Sequence, residues 1–161
     1  MMLIEENRAE RLRLVALGET LSGSDLRRTV RGQWTVGALF AHLAYWDRRS
    51  LATIEDWERS GEVRLATVDL DAINDAMLPE WLAMPPRDAV REAVAAAGAV
   101  DRKVERLALP LVEAAMKARP RILARAIHRR EHLDEIEGVL HRRRGDAEAE
   151  SAARDQELGG R

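Results

Sequence analysis

From Thr35 onward the residues Val36, Leu39, Phe40, Leu43, Trp46, Ser50, Ile54 and Trp57 recur at spacings of three and four, and all but Ser50 are apolar. Such a stripe fits one face of a long amphipathic α-helix and no strand, because a strand alternates with a period of two. Thr35 is a good N-cap, Trp34 is placed before it to pack back as a hydrophobic staple, and Ser60-Gly61 supplies the stop. A helix of this kind can hide its apolar face only against other helices. The rest of the chain provides them.

Ile4 to about Leu21 carries Leu12, Val15 and Leu17 among Glu and Arg, and Ser22-Gly23-Ser24-Asp25 ends it. Asp69 to Ala83 reads as a shorter helix with Leu70, Ile73, Met77 and Trp81, broken at Pro85-Pro86. Pro86 then opens the next helix at its permissive first turn. Val90, Val94, Ala97, Val100, Val104 and Leu107 continue it to Leu109-Pro110, and the alanine-rich stretch Ala93 to Ala99 invites close helix approach. A short helix over Leu111 to Ala118 precedes Pro120. From Arg121, the positions Ile122, Ala126, Leu133, Ile136 and Leu140 define a last long helix ending near His141 to Gly145, where basic residues suit the helix dipole. No strand pattern competes. The expectation is an all-α four-helix bundle over residues 1–144 with short extra helices. Residues 145–161 contain one apolar side chain larger than alanine, Leu158, and are expected to be a disordered acidic tail.

Composition excludes several classes. The 161 residues carry a formal net charge of −2, which gives no broad basic field for nucleic acid or an anionic membrane. The run Arg142-Arg143-Arg144 is followed at once by Asp146, Glu148 and Glu150, and a helix end explains it without DNA. No stretch approaches the roughly 18 apolar residues of a membrane span, and Met1 to Arg11 lacks the pattern of a secretory signal, so a cytoplasmic location is expected. There is no cysteine. Disulfides, zinc ribbons and an internal thiol nucleophile are excluded, and any metal must be held by nitrogen and oxygen.

That focuses attention on the four histidines. His128 and His132 form an H-x-x-x-H on the last helix, about 40° apart around its axis, so both rings can turn to one ion. His42 lies on the apolar stripe, with Leu39 and Trp46 as its neighbours one turn away, and a bundle joining the two helices would complete a three-histidine site. His141 projects from nearly the opposite side and is excluded. Glu135 shares the His128/His132 face, where it can orient a histidine, act as a base, or simply form an exposed ion pair. Trp46 is positioned to wall the site or to pack in the core. Each histidine also has a plain structural reading: His42 as a core histidine with one hydrogen bond, and the 128/132 pair as a solvated edge flanked by Arg129, Arg130 and Glu131.

Two segments carry a resemblance. The run Gln33-Trp34-Thr35-Val36-Gly37-Ala38-Leu39-Phe40-Ala41-His42-Leu43-Ala44-Tyr45-Trp46-Asp47 resembles the first signature of the DinB-like superfamily, W-t-v…l-x-H-l-x-x-w-d. The run His128-Arg129-Arg130-Glu131-His132-Leu133-Asp134-Glu135-Ile136 resembles the second, H-x-x-x-H-x-x-x-I. This bacterial metalloenzyme superfamily includes mycothiol-dependent maleylpyruvate isomerase and bacillithiol-dependent transferases, and the resemblance spans about Ile4 to Arg144.

The resemblance implies a DinB-like four-helix bundle holding a divalent metal on His42, His128 and His132. Three neutral imidazoles leave the ion its full charge, which lowers the pKa of a bound water or thiol. The metal itself, zinc, nickel, iron or cobalt, is left open by such a ligand set. Thiol chemistry needs an external thiol, and the arginine-heavy usage, with only Lys103 and Lys117 as lysines, suggests a mycothiol-making host. The expected activity is thiol-dependent transfer or isomerisation of a small electrophilic substrate. Metal-hydroxide hydrolysis, or a non-catalytic helical protein that dimerises around a vestigial site, are the alternatives.

Overall fold

The computed structural model describes residues 2–64 and 66–159, with side chains as far as residue 142. It is mostly helical. Four long helices dominate: α1 (Met2–Thr20), α3 (Val36–Ser60), α5 (Pro86–Arg106) and α8 (Arg125–Gly159). Helix α1 packs on α5 and α8, and α3 packs on the same two, so the four close into a ring with α1 and α3 on opposite corners. The shorter helices are α2 (Gly23–Leu26), α4 (Leu70–Ala83), α6 (Leu109–Ala118) and α7 (Pro120–Leu123). The expected disordered tail over 145–161 lies outside the residues whose side chains are described. Among the described residues no helix is long and apolar enough to cross a membrane.

Local chemistry sets the ends of these helices. Thr35 Oγ1 accepts from Ala38 N at 3.1 Å and caps α3, while Gly61 closes it in the left-handed region at φ 72°. Asp69 caps α4 through Ala72 N at 3.0 Å. The alanines of α5 do let the backbones approach: Ala93, Ala96 and Ala97 are buried against their neighbours. Gly18 of α1 meets α5 so closely that a Cβ there would come within 2.6 Å of Val90 Cγ1.

Three local features correct the sequence reading. A two-stranded antiparallel hairpin, β1 (Thr29–Arg31) with β2 (Trp34–Thr35), stands where no strand was expected. Gly32, at φ 48°, makes its turn possible. The strands are too short to show a period of two. Second, Ser22 to Asp25 does not simply end α1. Ser22 caps α2, its hydroxyl accepting from Asp25 N at 3.1 Å and its own N donating back to Asp25 Oδ2 at 3.0 Å. Third, the helix expected from Arg121 is interrupted at Ala124. The Asn7 side chain stitches that break, donating to Leu123 O at 2.8 Å and accepting from Ala126 N at 2.9 Å.

The interior has two apolar clusters. One gathers Leu14, Leu39, Phe40, Leu43, Trp81, Leu133 and Ile136, and the other Ile54, Trp57, Val100, Val104, Leu107 and Leu123. Between them lies a layer of buried charge: Asp47 from α3, Asp101 from α5, and Arg125 and Arg129 from α8. The candidate site adjoins this layer.

Candidate metal centre

His42, His128 and His132 come together, each offering a ring nitrogen within 4.8 Å of the others. His42 is buried on α3, and the other two are partly exposed one turn apart on α8. The Nε2 atoms of His42 and His128 are 3.0 Å apart, and the His132 ring centre lies 4.7 Å from that of His42 and 4.8 Å from that of His128. The three rings thus converge on one small volume. His141, by contrast, is exposed on α8 and takes no part.

Helix geometry and the hairpin build the surroundings. Trp34, delivered by β2, sets its ring edge-on to His42 at 5.3 Å, and Trp81 from α4 does the same at 5.0 Å. Trp46 stands slightly farther away, at 6.3 Å, with Nε1 donating to Asn74 Oδ1 at 3.1 Å. Sequence reasoning placed Trp46 beside the site, whereas Trp34 and Trp81 approach His42 more closely. In the sequence Trp34 reads as a helix staple and Trp81 as one apolar position of the helix from Asp69 to Ala83. Only the fold shows that both face the histidine.

Glu135 reaches the site through His132, whose Nδ1 lies 2.9 Å from Glu135 Oε2. An ionised carboxylate only accepts, so His132 carries its proton on Nδ1 and turns the Nε2 lone pair toward the other rings. Arg31 of the hairpin donates to both Glu135 oxygens. Burial raises the Glu135 carboxyl, but the hydrogen bonds from His132 and Arg31 outweigh it, and the net direction is downward.

His128 has a different partner. Arg125 Nη2 lies 3.0 Å from His128 Nδ1, while Arg125 Nε donates to Asp47 Oδ1 at 2.7 Å. Arg129, fully buried, donates to Asp47 Oδ2 from Nη2 at 2.9 Å, to Asp101 Oδ2 from Nη1 at 3.1 Å and to the Asn7 carbonyl at 3.1 Å. Two buried carboxylates and two buried guanidiniums therefore balance one another beneath the histidines. The Asp101 carboxyl is nevertheless raised, because burial exceeds the help of Arg129. Sequence reading took Arg129 for part of a solvated flank. The one hint of this layer in the sequence is Asp47, a carboxylate five residues beyond His42 in a largely apolar segment.

The donor set fits a divalent cation. Burial first, then the neighbouring His132 and the Arg31 and Arg125 charges, push His42 down to about 3. Burial and Arg125 hold His128 well below the ordinary histidine range. Both rings are therefore neutral at physiological pH, as ligation requires. His42 Nδ1 is buried with no hydrogen-bond partner among the described residues. No protein-family model, no curated protein and no solved structure matches the chain.

Proposed function

We propose that this chain is a divalent-metal-dependent enzyme of the DinB-like superfamily that catalyses thiol-dependent transfer or isomerisation on a small electrophile. The observation that carries the reading is the convergence of three imidazoles from two helices, with ligand atoms within 4.8 Å, on residues of the two sequence signatures. His42, His128 and His132 would hold the ion. When bound, it would supply the positive charge that keeps a thiol ionised at neutral pH.

The chain's own groups have separable parts in this reading. Glu135 orients His132, and its tie to Arg31 leaves it weakly basic, which suits orientation better than proton transfer. Trp34, Trp81 and Trp46 wall His42 with apolar ring surface and exclude water from that side. With no cysteine in the chain, the thiol comes from outside, and mycothiol is the low-molecular-weight thiol we assign. One observation favours a second reading, a non-catalytic bundle protein: Arg125 donates to His128 where a ligand histidine ordinarily donates to an acceptor.

Elemental analysis of protein purified without an affinity tag tests the first step, with about one equivalent of a divalent metal expected. The metal-loaded protein is then assayed against a panel of electrophiles and esters, with and without mycothiol. Turnover that rises with the thiol supports the transferase or isomerase reading. Turnover indifferent to every thiol moves it to hydrolysis, and a metal-free, inactive dimer returns it to the structural reading.

A further inference from the structure

Beside Trp46 the structure forms a half-open cavity of about 130 Å³. Its walls are two indole rings, Trp46 and Trp57, and its rim carries three arginines, Arg49, Arg64 and Arg119. No carboxylate lines it. Arg64 has Glu62 3.5 Å away, outside the cavity, whereas Arg49 and Arg119 have no carboxylate partner among the described residues. Arg49 lies 5.8 Å from the Trp46 ring centre, and Arg119 Nη2 donates to the Ala66 carbonyl at 3.3 Å. Trp57 Nε1 donates to the Arg64 carbonyl at 3.0 Å, which ties the chain at residue 64 to the indole. Arg49 and Arg119, both without a carboxylate partner among the described residues, give this aromatic-lined space a positive rim that an anion would complement.

Size limits the ligand. At a share of roughly 30 Å³ per water, the space holds about four water-sized groups, far less than the roughly 300 Å³ or more of a drug-sized pocket. Flat indole walls favour a planar body over a tetrahedral one. We propose that this cavity binds a small planar organic carboxylate, its charged end taken by Arg49, Arg64 and Arg119 and its body laid against Trp46 and Trp57.

The test uses the full chain and three probes: crotonate, its neutral isostere crotonamide, and inorganic phosphate, followed by tryptophan fluorescence and calorimetry. Crotonate is expected to bind at least tenfold more tightly than crotonamide. Arg49→Gln and Arg119→Gln, both at exposed positions and so compatible with folding, are each expected to weaken crotonate about tenfold, whereas Arg91→Gln on α5 is expected to leave it unchanged. Equal binding of the amide, or indifference to both arginine variants, overturns the proposal, as does binding of phosphate in preference to crotonate. Repeating the titration after treatment with a chelator separates this subsite from the metal centre. Retained binding supports the arginine subsite whatever the fate of the metal centre, and binding lost with the metal overturns it.

Discussion

Replacing Arg125 by glutamine is expected to tighten metal binding, for a reason that follows from hydrogen-bond polarity. A guanidinium has only donors, so at 3.0 Å from Arg125 Nη2 the Nδ1 of His128 must accept. The single proton of that neutral ring then sits on Nε2, where it points at His42 Nε2 3.0 Å away. His42 accepts it and carries its own proton on Nδ1, the buried atom with no partner. In this arrangement His132 has a free lone pair, but those of His42 and His128 are occupied by one shared hydrogen. Taking up a cation requires His128 to move its proton to Nδ1 and Arg125 to give up its contact. That contact is a hydrogen bond from a charged donor, worth about 1.5–3 kcal/mol. Arg125→Gln removes this opposition and one nearby positive charge, so the dissociation constant for zinc is expected to fall about ten- to a hundredfold. Asp47 keeps its bonds from Arg129, so the variant is expected to fold with a modestly lower melting temperature. Competition with a chromophoric chelator measures the affinity, and thermal melts of both proteins check the fold. A folded Arg125→Gln variant that binds zinc no better than the parent refutes the tautomer argument.

Three further outcomes are expected. His128→Ala and His132→Ala each abolish stoichiometric metal binding by elemental analysis while His141→Ala retains it; full occupancy in either of the first two removes those residues from the ligand set. Arg129→Met leaves Asp47 and Asp101 buried without their main partner, which costs about 3–5 kcal/mol, or roughly 6–20 °C in melting temperature for a chain of this size; a calorimetric shift under about 2 °C contradicts it. In the metal-free protein, His42 has its proton affinity lowered from 6.5 to about 3, so between those values the unfolded chain binds more protons than the folded one. Stability is therefore full above pH 6.5 and declines as the pH falls, by about 2 kcal/mol at pH 5 from this group alone; urea midpoints unchanged between pH 8 and pH 5 exclude that linkage.

What could be seen in advance was what local sequence encodes. The Thr35 cap, the Gly61 stop and the stripe between them depend on residues within a few positions of one another, and so does the placing of His128 and His132 on one face of α8. The break between α7 and α8 depends on Asn7, 116 residues from Leu123, and no local signal marks it. The hairpin escaped notice because three and two residues cannot establish a period, although it supplies Arg31 and Trp34 to the site. Arg129 shows the limit most clearly. Beside Arg130 and Glu131 it reads as solvated, yet it is fully buried because Asp47 and Asp101 reach it from two other helices.

That buried layer also explains how the histidines acquire a fixed relation. Apolar contacts between α3 and α8 are non-directional, and ridges of leucine, isoleucine and alanine permit several rotations and offsets at similar energy. A carboxylate held by two guanidiniums permits few. Asp47 on α3 receives both Arg125 and Arg129 of α8, while His42 on α3 faces both His128 and His132 of α8, so the ionic pair and the histidine cluster join the same two helices side by side. Rotating α8 enough to turn the imidazoles away from His42 would tear Arg129 from Asp47 and Asp101 and strand charge in the interior, at a cost of several kcal/mol. The layer contributes little net stability over an apolar substitute, since desolvating four charged groups offsets most of their attraction. Its effect is to make one register of α3 against α8 much lower in energy than its neighbours. Holding the rings to a converged geometry needs that discrimination, and hydrophobic packing alone does not supply it.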